Sequence, residues 1–388
     1  MKILFVSDSY IPVPNGTAVS VETLRLSLEK LGHTVYVIAP KYRFWKHSER
    51  GIARLPGLFK PFEKYNLSFW PTVGLNLKKL KDFGIDIVHS HFYFRPFYYA
   101  KELASSLDVP LVNTNYRIFP EVEKYKDSLK IVKARRVKKA LVEMIDYSNA
   151  CDQIVALSKS SKNYLNDFDI TTPIKVVPVG VFIKDYISYP PEAIRNKFKI
   201  PHERKLVLYV GAIENENEIT FLIRAFRSAW KAIDDVHLLI IGSGTKLPDF
   251  QKAVAKLPLN KFTTFTGYLP KKQVNKIYAI ADVLAYPGRI DPQPLVIAES
   301  LASGTPVVAV KGMGAQDFIS DSQDGFVTDA NLENFSGKLT EVLKKDKMRL
   351  DFSLKARINA RKFRASILTR ELVDLYASAV SQYKNKIV

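Results

Sequence analysis

Residues 291–309, DPQPLVIAESLASGTPVVA, carry two carboxylates, Asp291 and Glu299, eight positions apart around an apolar run. A glycine-bearing turn follows, then the β-branched strand TPVVAV (305–310). A helix starting near Leu295 exposes the N–H groups of Leu295, Val296 and Ile297 at its positive end, where an anion can be held. Glu299 falls one turn inside, placed to accept hydrogen bonds from a ribose diol. Asp291 precedes the start, where a carboxylate caps a helix or grips a sugar hydroxyl. Pro292 and Pro294 stand where such a grip wants free N–H groups. An N-capped buried helix with an ordinary turn and strand accounts for the same pattern, so this stretch alone leaves both open.

Apolar, β-rich runs alternate with helical lengths on either side. KILFVS (2–7), TVYVIAP (34–40), DIVHSH (86–91), VPLVNT (109–114) and QIVALS (153–158) read as one series of strands. KLVLYVG (205–211), VHLLIIG (236–242), FTTFTG (262–267), DVLAYP (282–287) and TPVVAV read as a second. Such strands, spaced by helices, predict parallel sheets buried on both faces. The expected class is α/β, with two doubly wound Rossmann-like domains facing across a cleft at the carboxyl ends of their strands. At 388 residues the chain exceeds a single core, and the Pro-Pro pair within 179–201 marks the join. The expected domains are 1–182 and 183–370, with 371–388 a helix returning to the first.

Lysine and arginine number 58 against 39 acidic residues, a net charge of +19 that favours polyanionic partners: nucleic acid, an anionic membrane face or phosphorylated ligands. No zinc-finger spacing, RNP-type aromatic motif or basic zipper is present, which puts specific nucleic-acid binding last. With one cysteine, Cys151, no intramolecular disulfide can form, as suits a reducing compartment. No apolar run reaches the roughly 20 residues of a membrane span, and MKILFVSDSYIPVPNG (1–16) reads as a first strand rather than a signal peptide.

Further motifs fall at strand ends. In SYIPVPNGTAVSVETL (9–24), Gly16 precedes a helix that Thr17 or Ser20 would cap, leaving a phosphate room at the helix start. A tight turn fits equally well. His89 and His91 are assigned to opposite faces of the strand end, one to the cleft and one to the core, with His91 the functional member. YVGAIENENEITFLIRAF (209–226) places a turn at Gly211 and no cation before Arg224. Gly242 and Gly244 make a short glycine loop, weak evidence by itself.

Residues 124–152 read as a helix with an apolar stripe among clustered cations: Lys126, Lys130, Lys133, Arg135, Arg136, Lys138 and Lys139. This suits a helix lying on an anionic bilayer, where each cation contributes about 1 kcal/mol. The aromatic-basic stretch 42–71 is assigned to the same surface; a solvated helix face and an ordinary loop are the alternative.

In order and spacing, PNG (14–16), LGHTVYVI (31–38), DIVHSH, KVVPVGV (175–181), YVGAIENENEITFLIRAF, GSG (242–244), FTGYL (265–269), ADVLAYP (281–287) and ESLASGTPVVA (299–309) resemble the family-4 retaining glycosyltransferases, of GT-B fold. The resemblance covers nearly the whole chain, and VNTNYRIFPEV (112–122) looks most like the diacylglycerol and other lipid glucosyltransferases. It implies transfer of a hexose from a nucleotide-sugar, UDP-sugar favoured, to a lipid or other membrane-surface acceptor, without cofactor or obligatory metal. It also implies a cytoplasmic protein, peripheral on the inner face of the membrane.

By position, the resemblance makes Glu299 the ribose ligand and gives Asp291 the donor sugar or leaving group. Leu295 and Val296 would offer N–H groups to the diphosphate; Gly267 and Tyr268 would flank the base. Gly16, Thr17 and Gly211 would lie along the nucleotide-sugar, His91 would contact the transferring sugar, and Tyr116 would lie on the acceptor side. The sequence departs from the family where an Arg and a Lys neutralise the leaving diphosphate: Ala212 and Asn217 stand there. Asp291 replaces the usual Glu, Pro292, Gln293 and Pro294 replace small residues, and Tyr116 stands where lipid-glycosylating relatives often carry His. These departures keep a second expectation open, a non-catalytic partner or scaffold of another glycosyltransferase. A charge-driven glycan or nucleic-acid binding module is the third.

Overall fold

The computed structural model describes residues 1–13, 15–41, 50–55, 77–91, 95–116, 131–186, 190–214 and 216–387. The chain divides into two units: Met1–Gly180 with Ala365–Val388, and Val181–Arg364.

The first unit is built on seven strands: β1 (Lys2–Val6), β2 (Thr34–Pro40), β3 (Ile52–Leu55), β4 (Ile87–Ser90), β5 (Leu111–Asn115), β6 (Gln153–Ala156) and β7 (Ile174–Val176). They lie in the order β3-β2-β1-β4-β5-β6-β7, and every pairing is parallel. The second unit has six: β8 (Lys205–Val210), β9 (Val236–Ile241), β10 (Thr263–Gly267), β11 (Val283–Tyr286), β12 (Val307–Val310) and β13 (Gly325–Thr328). Their order is β10-β9-β8-β11-β12-β13, again all parallel. Both sheets wind outward on one side of their first strand and then resume on the other. The switch points fall between β1 and β4 and between β8 and β11, where such sheets leave a crevice at the carboxyl ends.

The apolar runs form strands because each residue finds a core on one face or the other. Leu206, Leu208, Leu239, Ile241 and Leu284 enter one cluster, while their neighbours Val207, Tyr209, Leu238, Ile240 and Val283 enter another. Alternation along a pleated strand divides them in this way. Helix Leu295–Ser303 is buried along most of its length and ends at Gly304, whose φ of +78° is the left-handed cap that glycine adopts without strain. Helix Ala365–Ile387 belongs to the first unit and packs on helix Gly16–Lys30. Among the described residues no helix is long and apolar enough to cross a membrane.

All ten expected strands are present, with ends displaced by at most two residues. β3, β7 and β13 are additional, each of three or four residues, too short for a period-2 pattern to stand out.

Gly242 and Gly244 have a structural reason. The loop after β9 lies directly on the loop after β8: Ile213 N–H donates to Ser243 O and Lys246 N–H to Ile213 O. A Cβ on Gly242, at φ +152°, would fall 1.8 Å from Gly211 O, and one on Gly244 would fall 2.2 Å from Ile213 O. Gly242→Ala is therefore expected to destabilise the chain by about 2–4 kcal/mol. Gly337→Ala, in an exposed helix turn with nothing within 4 Å of the new Cβ, should stabilise it by up to about 1 kcal/mol. Urea unfolding of the two variants checks both signs.

Candidate functional site

In the first unit the loop after β1 delivers helix Gly16–Lys30. Its cap is Asn15, whose side chain accepts from Ala18 N at 2.8 Å and donates to Ser9 Oγ at 2.7 Å. The expected caps, Thr17 and Ser20, lie inside the helix instead, because the Asn15 amide already binds the orphan N–H. A Cβ on Gly16 would meet nothing within 4 Å among the described residues.

At the end of β4, His89 and His91 are both fully buried. Their rings lie 4.1 Å apart and both pack edge-on to Phe5. The expectation of opposite faces is corrected here: residues two apart on a strand share a face. His89 is enclosed, with Nδ1 2.5 Å from Tyr376 Oη and Nε2 2.7 Å from Thr114 Oγ1. His91 Nδ1 lies 3.3 Å from Tyr116 Oη, while Nε2 is buried and has no hydrogen-bond partner among the described residues. Burial lowers His91 to about 3; burial and the neighbouring His91 together push His89 well below the usual range. Both rings are therefore neutral at physiological pH.

In the second unit, helix Leu295–Ser303 starts after Pro294 without a side-chain cap. Ile297 N–H is not free, as expected from sequence, but donates to Pro294 O at 2.9 Å in a tight first turn. Leu295 and Val296 remain the first two N–H groups of the helix. Asp291 Oδ1 accepts from Gln293 N at 2.9 Å, which holds the two-proline loop, while the residue keeps solvent access. Protein packed around the carboxyl raises it to about 6.

Glu299 is only 4 % exposed, and its Oε1 is paired with the Lys271 ammonium. Tyr186 and Tyr278 lie close by, their phenols raised by burial first and then by the Glu299 charge. At the end of β10, the edge strand, Gly267 has φ +70° and Tyr268 stands 55 % exposed, an aromatic face open to a flat ligand.

Two residues escaped the sequence reading: Tyr209 and Tyr286, each two positions before a glycine at the switch point. A Cβ on Gly211 would fall 2.8 Å from Tyr209 Oη, and one on Gly288 would fall 2.6 Å from Tyr286 Oη. Burial raises the Tyr286 phenol, and the charges of Asp291 and Glu218 raise it further, so these groups gather at one edge of the sheet. The repeated Tyr-x-Gly in LYVG and AYPG was the available signal. The loop after β8 holds Ala212 and an exposed Glu214, which accepts from Thr245 N and Oγ1; the Asn217 side chain lies outside the described residues.

The structure thus gathers His91 with Tyr116 in one unit, near the loop of Gly16 and Thr17. It sets Asp291, Leu295, Val296 and Glu299 on one loop and helix of the other, with Gly211 after β8 and Gly267 and Tyr268 at the end of β10, two strands away. Lys138 and Lys139 are exposed on helix Ile131–Asn149. Only the backbone is described at Lys133, Arg135 and Arg136; Lys126, Lys130 and most of 42–71 lie outside the described residues. Among the described residues, no three His, Cys, Asp or Glu side chains converge as a metal site requires.

Residues 14–184 match the family model described as Glycosyltransferase Family 4, and residues 191–359 match Glycosyl transferases group 1. The chain belongs to the glycosyltransferases. It is similar along its whole length to the alpha-monoglucosyldiacylglycerol synthase of Acholeplasma laidlawii, at 24% identity over 100% of this chain and 99% of that one. The Streptococcus pneumoniae protein of the same name is 26% identical over 84% of this chain and 74% of its own. Among solved structures, Anabaena HepE in complex with UDP and glucose superposes with a TM-score of 0.76 over 97% of this chain and 100% of that one, at 16% identity. These likenesses establish the GT-B fold for this glycosyltransferase.

The buried histidines set a pH dependence. An unfolded chain takes up protons on both rings below about 6.5, whereas folded His91 does so only near 3. Their contribution to stability is complete above about 6.5 and is lost progressively as pH falls from there. The thermal midpoint should fall between pH 7 and pH 5, and His91→Gln should reduce that slope without abolishing it, since His89 and His237, the latter lowered to about 4 by burial, share it. Calorimetry across that range reads it.

Proposed function

We propose that this glycosyltransferase moves a hexose from a nucleotide-sugar, UDP favoured, to a lipid acceptor, with retention at the anomeric carbon. The observation that carries the reading is His91 Nε2, neutral, buried and unpaired at the end of β4. A buried polar atom left without a partner costs about 1–3 kcal/mol, and a sugar hydroxyl is the complement that removes that cost. The lipid acceptor is supported by full-length likeness to a synthase named for diacylglycerol, and UDP by the nucleotide held in Anabaena HepE.

Each residue then has a task. Glu299 keeps Oε1 on Lys271 and offers Oε2 to the ribose diol. Leu295 and Val296 donate N–H groups to the diphosphate, Gly267 and Tyr268 flank the base, and Gly16 leaves room for the phosphates at its helix start. The free oxygen of Asp291 accepts a hydroxyl of the donor sugar. The acceptor hydroxyl attacks the anomeric carbon on the face the phosphate leaves. The bond from that carbon to the phosphate oxygen breaks, and the departing oxygen takes the acceptor's proton. The reading needs no metal. Lys138, Lys139 and the cations before them on the helix would hold the first unit to the anionic cytoplasmic face of a membrane.

Incubating the purified chain with UDP-glucose and diacylglycerol in detergent micelles should yield a glucolipid of α configuration, resolved by NMR. Glu299→Ala and His91→Ala should each lower kcat/KM by about 10²–10³. Asp291 accepts as a carboxylate, so activity should decline as pH falls through about 6, and Asp291→Asn should flatten that limb. If a folded sample neither binds UDP or GDP by calorimetry nor consumes any nucleotide-sugar, the non-catalytic partner reading takes its place.

A further inference from the structure

Helix Asp346–Ala360 buries Phe352, Ala356, Asn359 and Ala360 against the second unit, where it packs on helix Leu295–Ser303. Its opposite side is not the polar face expected of a surface helix. Leu350, Leu354 and Ile358 stand 70 %, 62 % and 53 % exposed. Spaced four residues apart, they form one continuous stripe over more than two turns. Single exposed leucines need no explanation, but three in register do.

Charge decides the occupant. Lys347, Arg357 and Arg361 lie three positions from the stripe residues, so they border it, and all three are exposed. Among the described residues none of them makes an ion pair, although Arg357 also lies over Gly304. The helix's acids are already matched: Asp346 is held by Lys205 and Arg349, and Asp351 by Lys355. The stripe is therefore apolar with an uncompensated cationic border. A second copy would bring those cations against their own counterparts on chains of net charge +19. Three side chains also fall far short of the ~1,200 Å² that a stable protein interface buries.

We infer that Leu350, Leu354 and Ile358, with Lys347, Arg357 and Arg361, form a membrane-docking face on the second unit, for a bilayer rich in anionic lipid. Acyl chains receive the stripe, and lipid phosphates receive the border. The inference rests on the reading of a lipid acceptor and goes beyond it, since that reading assigns membrane contact only to the first unit.

The test is co-sedimentation of the full chain with vesicles of phosphatidylcholine alone or mixed with phosphatidylglycerol. The parent is compared with the triple variant Leu350→Ser, Leu354→Ser, Ile358→Ser. All three sites are exposed, and an unchanged thermal midpoint verifies the fold. The expected result is preference for anionic vesicles and a fall of at least about tenfold in partitioning for the variant. Transfer to a short-chain, water-soluble acceptor should stay at parental level while transfer to vesicle-embedded lipid declines. Equal partitioning of parent and variant overturns the inference. So does a parent that ignores vesicles but forms a dimer lost in the variant, measured by sedimentation velocity. Stripe-dependent vesicle binding without transfer to any acceptor would sink the proposed function and leave this face standing.

Discussion

Parallel strands cannot be joined by tight turns, so each neighbour is reached by a crossover that must lie on one face of the sheet. In both units the crossovers run outward from the first strand, then start again on its other side, and β1 comes to lie beside β4 and β8 beside β11. Loops leaving those pairs diverge to opposite faces. Four of the candidate residues follow from that divergence, while Tyr116 follows β5 and Gly267 and Tyr268 lie at the end of β10. Gly16 follows β1 and His91 follows β4; Gly211 follows β8 and Asp291 follows β11. A buried sheet thus fixes the positions of groups that could not organise themselves on loops alone.

The same constraint explains what was legible in the sequence. Ten strands could be read because burial on both faces demands unbroken apolar runs. β3 was missed because Arg54 interrupts a four-residue run, and β13 because it opens with Gly325 in only four. Asp291, Leu295, Val296 and Glu299 were legible as a group because one loop and one helix set their spacing. Contacts made across the fold were not. Nothing local reveals that Lys271 reaches Glu299, that Tyr376 closes on His89, or that Gly242 exists to clear Gly211. The misassigned cap and the histidine faces were local matters, and there the residues were available to be read correctly.

Burial treats the site's ionisable groups in two ways. Glu299 lies almost wholly inside, and its pairing with the Lys271 ammonium offsets the desolvation. His89 and His91 have no such partner, and the low-dielectric surroundings keep them neutral. A neutral imidazole with one nitrogen on a tyrosine hydroxyl can donate or accept at the other, according to its tautomer. In the proposed reading, His91 would therefore meet a sugar hydroxyl without placing a cation beside the anomeric centre.

The start of helix Leu295–Ser303 works under a different balance. A helix start supplies about half a positive charge and a pair of N–H groups, less than the diphosphate of the proposed donor would carry. The loop after β8 carries the exposed Glu214, and among its own described residues it carries no cation. Across the switch point the sign reverses: Arg289 follows β11 and Lys311 follows β12, both exposed. With β11 and β12 adjacent in the sheet, the positive charge at this edge lies on the side of helix Leu295–Ser303, where the N–H groups also point. In the proposed reading, the acid after β8 and the cations after β11 and β12 would give this edge a direction, favouring an anion at the helix start over one at the loop after β8.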